Sequence, residues 1–203
     1  MEITQGSVEW KLLRVGKITA SRINDVVAQI KTGEAASRAD YRIDIVTERL
    51  TGEPSETFTN EHMERGTYLE PFARTAYEVK KSLFVEQIAF VNHPTLPNTG
   101  ASPDGLVEQG GLIEIKCPKP KTHIATILSR KAPSKYINQM QWQMACTGRQ
   151  WCDFVSYCPE LPENLQLFIH RVNRDDELIA ELEQKVAEFD KEVEDVIKQL
   201  KSI

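Results

Sequence analysis

The sequence predicts an α/β fold: a mixed central β-sheet flanked by helices and closed by a long C-terminal helix. Three observations carry this reading. Helical patterns come first, up to about Lys80. Strand-like runs begin only at Leu83, in the order three strands, two helices, two strands and a helix. From Asp175 to Leu200 one apolar stripe recurs at steps of three and four: Leu178, Leu182, Val186, Phe189, Val193, Val196 and Leu200.

Each element has a local reason. Thr19 is a candidate N-cap for a helix over Ala20–Ile30. A second helix covers Ser37–Leu50, with Gly52 just past its end. A third covers Glu61–Lys80, where Pro71 either starts a new helix or kinks this one. Leu83–Asn92 reads as a strand. Thr99–Val107 and Leu112–Cys117 read as two more, joined around Gly110-Gly111. Helices follow near Thr122–Arg130 and Ser134–Thr147, the latter closed by Gly148. Trp151–Tyr157 and Leu165–Val172 are rich in aromatic and β-branched residues, as strands are, and Pro159 and Pro162 mark the loop between them.

At 203 residues the chain is long enough to bury a core without disulfides or a structural metal, and no linker or repeat divides it, so residues 1–203 read as one domain. The apolar fraction of 40% and charged fraction of 27% are ordinary globular usage. No apolar run approaches the ~18 residues of a membrane span. The start, Met1 to Gly6, lacks the basic and apolar stretches of a secretory signal. The four cysteines, Cys117, Cys146, Cys152 and Cys158, include no C-x2-C pair. The even spacing of the last three hints at a metal or iron–sulfur site, but packing as small hydrophobes fits their apolar surroundings better.

The net charge of −5 argues against a general nucleic-acid binder, yet its distribution does not. Between Ile115 and Cys152 stand seven Lys or Arg residues and no acid: Lys116, Lys119, Lys121, Arg130, Lys131, Lys135 and Arg149. Between Asp175 and Lys201 ten acids face four lysines. A local basic face suits a phosphate backbone; a solvated helix surface is the plainer alternative.

The segment richest in chemistry is Ser102-Pro103-Asp104-Gly105, followed by Glu114-Ile115-Lys116. Glu114 and Lys116 share one strand face. They form either a weak surface salt bridge or, with Asp104, a metal site. In the second case Asp104 and Glu114 supply hard oxygen ligands for Mg²⁺, and Lys116 orients or deprotonates an attacking water. Hairpin parity separates the two. A two-residue turn at Gly110-Gly111 turns Asp104 away from Glu114. A three-residue loop, Gln109 to Gly111, sets Asp104 opposite Lys116 and gathers all three, with Gly111 able to supply the left-handed position.

These residues resemble the PD-(D/E)xK nuclease core, down to Pro103. The wider chain resembles the phage lambda-type 5′→3′ exonucleases, the viral recombinase and alkaline exonuclease family. Arg14-Val15-Gly16-Lys17-Ile18-Thr19-Ala20-Ser21 resembles their R-x-G-x-I-T-A-S signature, and Gly66-Thr67-Tyr68-Leu69-Glu70 their G-x-x-x-E helix. Ala101 to Leu106 and Gly111 to Pro118 resemble their two active-site strands, and Tyr136 to Gln141 their glutamine helix. The blocks occur in family order across residues 10 to about 160.

The resemblance implies a restriction-endonuclease-like core and a Mg²⁺-dependent exonuclease, with Mn²⁺ as the substitute ion. Such an enzyme digests one strand of linear double-stranded DNA 5′→3′ and leaves 3′ overhangs for recombination by single-strand annealing. The resemblance makes Asp104, Glu114 and the Ile115 carbonyl metal ligands for two ions, Lys116 the catalytic lysine and Glu70 a further acid. Arg14, Ser21, Ser102 and Gln139 match positions that hold the terminal 5′ phosphate, Arg14 and Ser21 flanking a helix start whose N–H groups favour an anion. Without the resemblance, Gln139 and Gln143 one turn on read as a polar helix face, and Glu70 as a solvated acid. It also implies a ring-shaped homotrimer, a single-strand annealing protein as partner, and a phage or prophage protein of the bacterial cytoplasm. Met63 is the nearest candidate for a DNA-end wedge; His62 and His93 are candidate catalytic histidines, although a lone histidine beside a loop is more often structural. The competing readings are an iron–sulfur nuclease of the CRISPR-associated type and an inactive DNA-end-binding module.

Overall fold

The computed structural model describes residues 3–55 and 61–203, apart from the side chain of His62. In chain order the elements are α1 (Val8–Arg14), β1 (Ile18–Thr19), α2 (Ile23–Val26), α3 (Ala36–Thr51), α4 (Glu61–Lys81), β2 (Val85–Glu86), β3 (Val91–Asn92), β4 (Thr99–Ala101), β5 (Gly105–Val107), β6 (Gly111–Lys116), α5 (Pro120–Ser129), α6 (Ile137–Thr147), β7 (Trp151–Tyr157), β8 (Leu167–Asn173) and α7 (Asp176–Lys201).

The main sheet has five strands in the order β2-β5-β6-β7-β8, with β6 and β7 parallel and the other pairs antiparallel. A smaller sheet, β1-β4-β3, pairs β1 with β4 in parallel and β3 with β4 antiparallel. The mixed sheet and flanking helices agree with the fold class read from the sequence.

Strand β6 is buried on both faces, which is why Gly-Leu-Ile-Glu-Ile-Lys reads as a nearly continuous apolar run. Its Leu112 packs with Met140, Met144 and Ala145 of α6. On the opposite face Ile113 and Ile115 pack with Ala73 and Tyr77 of α4. A third cluster joins Tyr41 and Ile45 of α3, Trp142 of α6 and Leu182, Val186, Phe189 and Val193 of α7.

Several elements depart from the sequence reading. The helix expected over Ala20–Ile30 is a 3-10 turn at Ala20–Arg22 followed by the single turn α2. Thr19 makes no cap; its N–H donates to the Tyr41 hydroxyl. Buried Ile18, Ala20, Ile23 and Val26 hold this stretch down, and Ile30 is exposed, so nothing anchors a longer helix. The helix α1 has no buried residue and so no stripe to betray it. α4 runs through Pro71 without a break, held to the sheet by Ala73 and Tyr77. The stripe of α7 is centred on Ile179, Leu182, Val186, Phe189, Val193 and Ile197, and Leu200 lies outside it.

The two strands expected over Leu83–Asn92 and Thr99–Val107 are each split between the sheets. β2 pairs with β5 and β3 with β4. The second split falls at Ser102-Pro103-Asp104. Proline has no N–H for a ladder, so the chain leaves one sheet there and joins the other. Ser102 and Asp104 are thereby delivered to the junction.

Candidate active site

The β5–β6 hairpin pairs Gly105 with Ile113, Leu106 with Leu112 and Val107 with Gly111. The loop is therefore three residues, Glu108 to Gly110, an odd length as the metal reading requires. It sits one residue earlier than expected, and its left-handed residue is Glu108, at φ 48°. Gly111 belongs to the strand because a methyl group there would overlap the Trp151 ring. Continuing the register sets Asp104 opposite Glu114 rather than Lys116, on the same face as both. Asp104 Oδ2 accepts from the Ile115 N–H at 2.6 Å, so the carboxylate itself extends the ladder past Pro103.

Glu114 is fully buried. Its Oε1 accepts from Gln139 Nε2 at 2.6 Å and pairs with Lys116 Nζ, while Oε2 accepts from Gln143 Nε2 at 2.7 Å. Lys116 also stands over the Tyr136 ring, 5.1 Å from its centroid. Burial works to lower the lysine pKa, but Glu114 and Asp104 outweigh it and the pKa rises. Lys116 thus stands as a hydrogen-bond donor and counter-charge to Glu114.

The acids crowd one another. Burial raises the Asp104 pKa well above the usual carboxylate range, Glu114 and Glu70 raise it further, and Lys116 opposes them. Glu70 is raised in the same way, first by burial and then by Glu114, against the pull of Arg74. Arg74 Nη2 donates to Glu70 Oε1 at 2.5 Å. Among the described residues no three acidic, cysteine or histidine groups already close around a metal position. The donor chemistry nevertheless fits a hard divalent cation: beside Glu114, the proton affinities of Asp104 and Glu70 are both raised, a repulsion such a cation relieves.

A second constellation lies across Ser102. Arg14 donates to Ser102 Oγ at 3.2 Å and to Ser21 Oγ at 3.3 Å. The Trp10 indole N–H donates to Ser102 Oγ at 2.9 Å and to the Ala89 carbonyl at the same distance. The Arg14 guanidinium stacks 4.3 Å over the Trp10 ring. Burial lowers the Arg14 pKa from its usual value, offset by Tyr41 and Glu48. Among the described residues no carboxylate forms an ion pair with Arg14, so a guanidinium and two hydroxyls stand ready for an anion.

The structure thus gathers the predicted residues into two groups joined by Ser102-Pro103-Asp104. Gln139 falls in the other group from the one expected: its amide is on Glu114, away from the hydroxyls that Arg14 holds. The helix start expected beside Arg14 is only the short 3-10 turn. Gln143 is wholly buried rather than part of a polar face. Two residues escaped the sequence reading. Trp10 gave no signal, lying on a helix without a buried stripe. Gln143 was visible as the i+4 partner of Gln139, but its burial was not.

His93 is structural, as read: its Nδ1 accepts from Thr95 and Leu96 N–H groups, its Nε2 lies 3.1 Å from Glu183, and its ring stacks on Trp142. The side chain of His62 lies outside what the structure describes, so its expected role is untested. Met63 is half exposed in the first turns of α4. The cysteines are free and separate. Cys146 packs beside Trp142 and Phe189, Cys152 beside Leu112 and Met140, and Cys158 donates to Glu160. Three cysteines in three surroundings leave the iron–sulfur reading without a ligand set among the described residues.

A YqaJ-like viral recombinase domain matches residues 9–150. An alkaline exonuclease, LHK-Exo, from Laribacter hongkongensis is 49% identical, with a TM-score of 0.89 over 97% of each chain. LHK-Exo in complex with dAMP is equally similar in sequence and coverage, 49% and 97% of each chain, with a TM-score of 0.91. A phage-related exonuclease from Haemophilus somnus 129PT shares the fold at 15% identity, with a TM-score of 0.75 over 94% of this chain and 99% of that one. The curated proteins contain no match.

Proposed function

The chain belongs to the YqaJ-like viral recombinase family, and from that premise we propose that it is a Mg²⁺-dependent exonuclease acting on ends of double-stranded DNA. It digests one strand 5′→3′ and leaves a 3′ single strand for annealing-type recombination. The observation that carries this reading is the adjacency of the two constellations. Asp104, Glu114 and Lys116 share one hairpin face, and two residues before Asp104 begins a cradle for an anion. A strand whose terminal phosphate sits on Arg14, Ser21 and Ser102 has its nearby diester beside the carboxylates. The dAMP bound by LHK-Exo is a mononucleotide of the kind an exonuclease releases.

Asp104, Glu114 and the Ile115 carbonyl would hold the divalent ions, with Glu70 close by. Bound there, Mg²⁺ lowers the pKa of water and stabilises charge on the leaving oxygen. The chain's own residues supply the rest. Lys116 orients the attacking water and offsets charge on the phosphoryl oxygens. Gln139 steadies Glu114 by donating to its Oε1. Arg14 grips the terminal phosphate through its planar fork. Mn²⁺ would substitute for Mg²⁺. A ring of three copies, a single-strand annealing partner and a place in the cytoplasm of a phage host complete the proposal.

The test is an end-labelled linear duplex incubated with and without Mg²⁺. Wild type releases mononucleotides from the 5′ end only with the metal, and Asp104→Ala does not, though it still binds DNA. Binding without cleavage by wild type would make this chain a DNA-end-binding module instead.

A further inference from the structure

Gln143 presents a problem of its own. The segment Met140–Cys146 is buried along its whole length, and an amide stands in its middle. The Nε2 group donates to Glu114 Oε2 at 2.7 Å, but Oε1 is buried with no partner. An unpaired buried carbonyl oxygen destabilises a fold, so such a group calls for an explanation. Its helix neighbours Met140 and Met144 are apolar and pack against Leu112 and Phe154. Packing alone would favour a third apolar side chain at this position.

The explanation lies in Glu114. Its other two partners, Gln139 and Lys116, are only partly buried, and both belong to the face that reacts. They bond Oε1. Oε2 points into the core, where Gln143 is its one described hydrogen-bond donor. Without that donor Oε2 would stand unpaired beside the apolar cluster of Met140 and Met144, and the carboxylate would swing toward water. That change removes a fixed oxygen donor from the strand.

We propose that Gln143 is a positioning residue: a buried amide that holds Glu114 in one rotamer, so that the site accepts a divalent cation without rearranging. This rests on the reading that Glu114 holds the ion. Partners behind a metal ligand commonly contribute ten- to a hundredfold in affinity.

The experiment uses the full chain without DNA. Mn²⁺ binding is titrated by electron paramagnetic resonance of the free ion, and melting is followed in EDTA. The proteins are wild type, Gln143→Leu and Gln143→Met, the second because methionine adapts to irregular space. The expected result is two readouts moving apart. Melting in EDTA moves little, because the orphaned Gln143 oxygen is gone while Glu114 Oε2 loses its donor, and Mn²⁺ affinity falls about tenfold or more. Undiminished Mn²⁺ affinity in either folded variant overturns the inference and leaves the function standing. Loss of thermal stability with unchanged affinity marks a merely structural glutamine and overturns it too. A wild type that binds no Mn²⁺ at all removes the metal reading itself, and this inference with it.

Discussion

Ser102 shows how much a single hydroxyl is told to do. Its oxygen accepts from both Trp10 and Arg14. With both lone pairs engaged, its one proton is left to be donated elsewhere. A serine so held is a donor aimed by its neighbours, and beside Arg14 and Ser21 it suits a dianion better than a monoanion. Duplexes ending in 5′ phosphate should therefore be degraded at least tenfold faster than those ending in 5′ hydroxyl. Arg14→Ala should erase most of that ratio while leaving Mn²⁺ binding unchanged. Equal wild-type rates on the two ends would assign these residues another task. A second residue-scale outcome concerns Asp104, whose folded pKa is raised by burial and by Glu114. Between the unfolded and folded values, the native chain holds a proton that the unfolded chain has lost. Stability thus falls as pH rises through that window, and the penalty is complete above the folded pKa. In EDTA, Asp104→Asn should melt higher than wild type at pH 8, and the gap should close on acidification. A gap that grows in acid would contradict the crowding of carboxylates described above. Arg14, Ser21 and Ser102 were legible only through the family resemblance, whereas Asp104, Glu114 and Lys116 were legible as types at fixed spacings. The amide of Gln139 was not, because an amide bonds whichever charged group its helix brings near, and no spacing states which.

At the scale of elements, the hairpin β5–β6 decides whether the acids meet. Its loop parity could be reasoned from Gly110-Gly111, but not its position. Gly111 is needed inside the strand, where the Trp151 ring crosses it, and that ring is pinned from its other side by Arg171, 3.5 Å from its centroid. Arg149 Nη1 also fastens the loop by donating to the Glu108 carbonyl at 2.5 Å. Gly111→Ala should therefore destabilise the protein by about 1–3 kcal/mol through overpacking, read as a drop in urea midpoint. A neutral result would mean that Trp151 yields freely. The elements that reading the sequence located best, β7 and α7, bury a regular face. Those it mistook are short or amphiphilic without burial: α1 hides nothing, and the stretch after Thr19 spends its apolar residues on a turn. The division of strands between two sheets was written in Pro103, but only as a break, not as a change of partner.

The whole molecule is acidic, with its bases gathered elsewhere. Lys119 and Lys121 begin α5, and Arg130, Lys131 and Lys135 lie between α5 and α6, while the acids of α7 are at the other end of the chain. Some of those acids are engaged in packing: Arg38 donates to both oxygens of Glu192 at 2.8 Å, and Arg49 bridges Asp190 and Glu194. One copy offers a duplex only a partial basic surface. Three copies around an axis would turn three such surfaces inward and let an acidic protein retain DNA. Tyr68, Phe72, Val79 and Phe84 stand exposed and offer apolar surface for such contacts. Light scattering should therefore give three times the chain mass under conditions of cleavage. A monomer that degrades duplex DNA at full rate would end the ring proposal.

The strand pairing has a consequence for how the protein is made. Glu114 lies on a strand whose parallel neighbour, β7, is synthesised some 35 residues later, and Ile18 is aligned by Thr99 from far down the chain. Gln139 and Gln143 reach Glu114 on a helix that also packs against α7, which follows β8 in the chain. Non-local pairings of this kind form late, since the loops between them must close first. A chain still on the ribosome therefore carries the acids but not the scaffold that aims them.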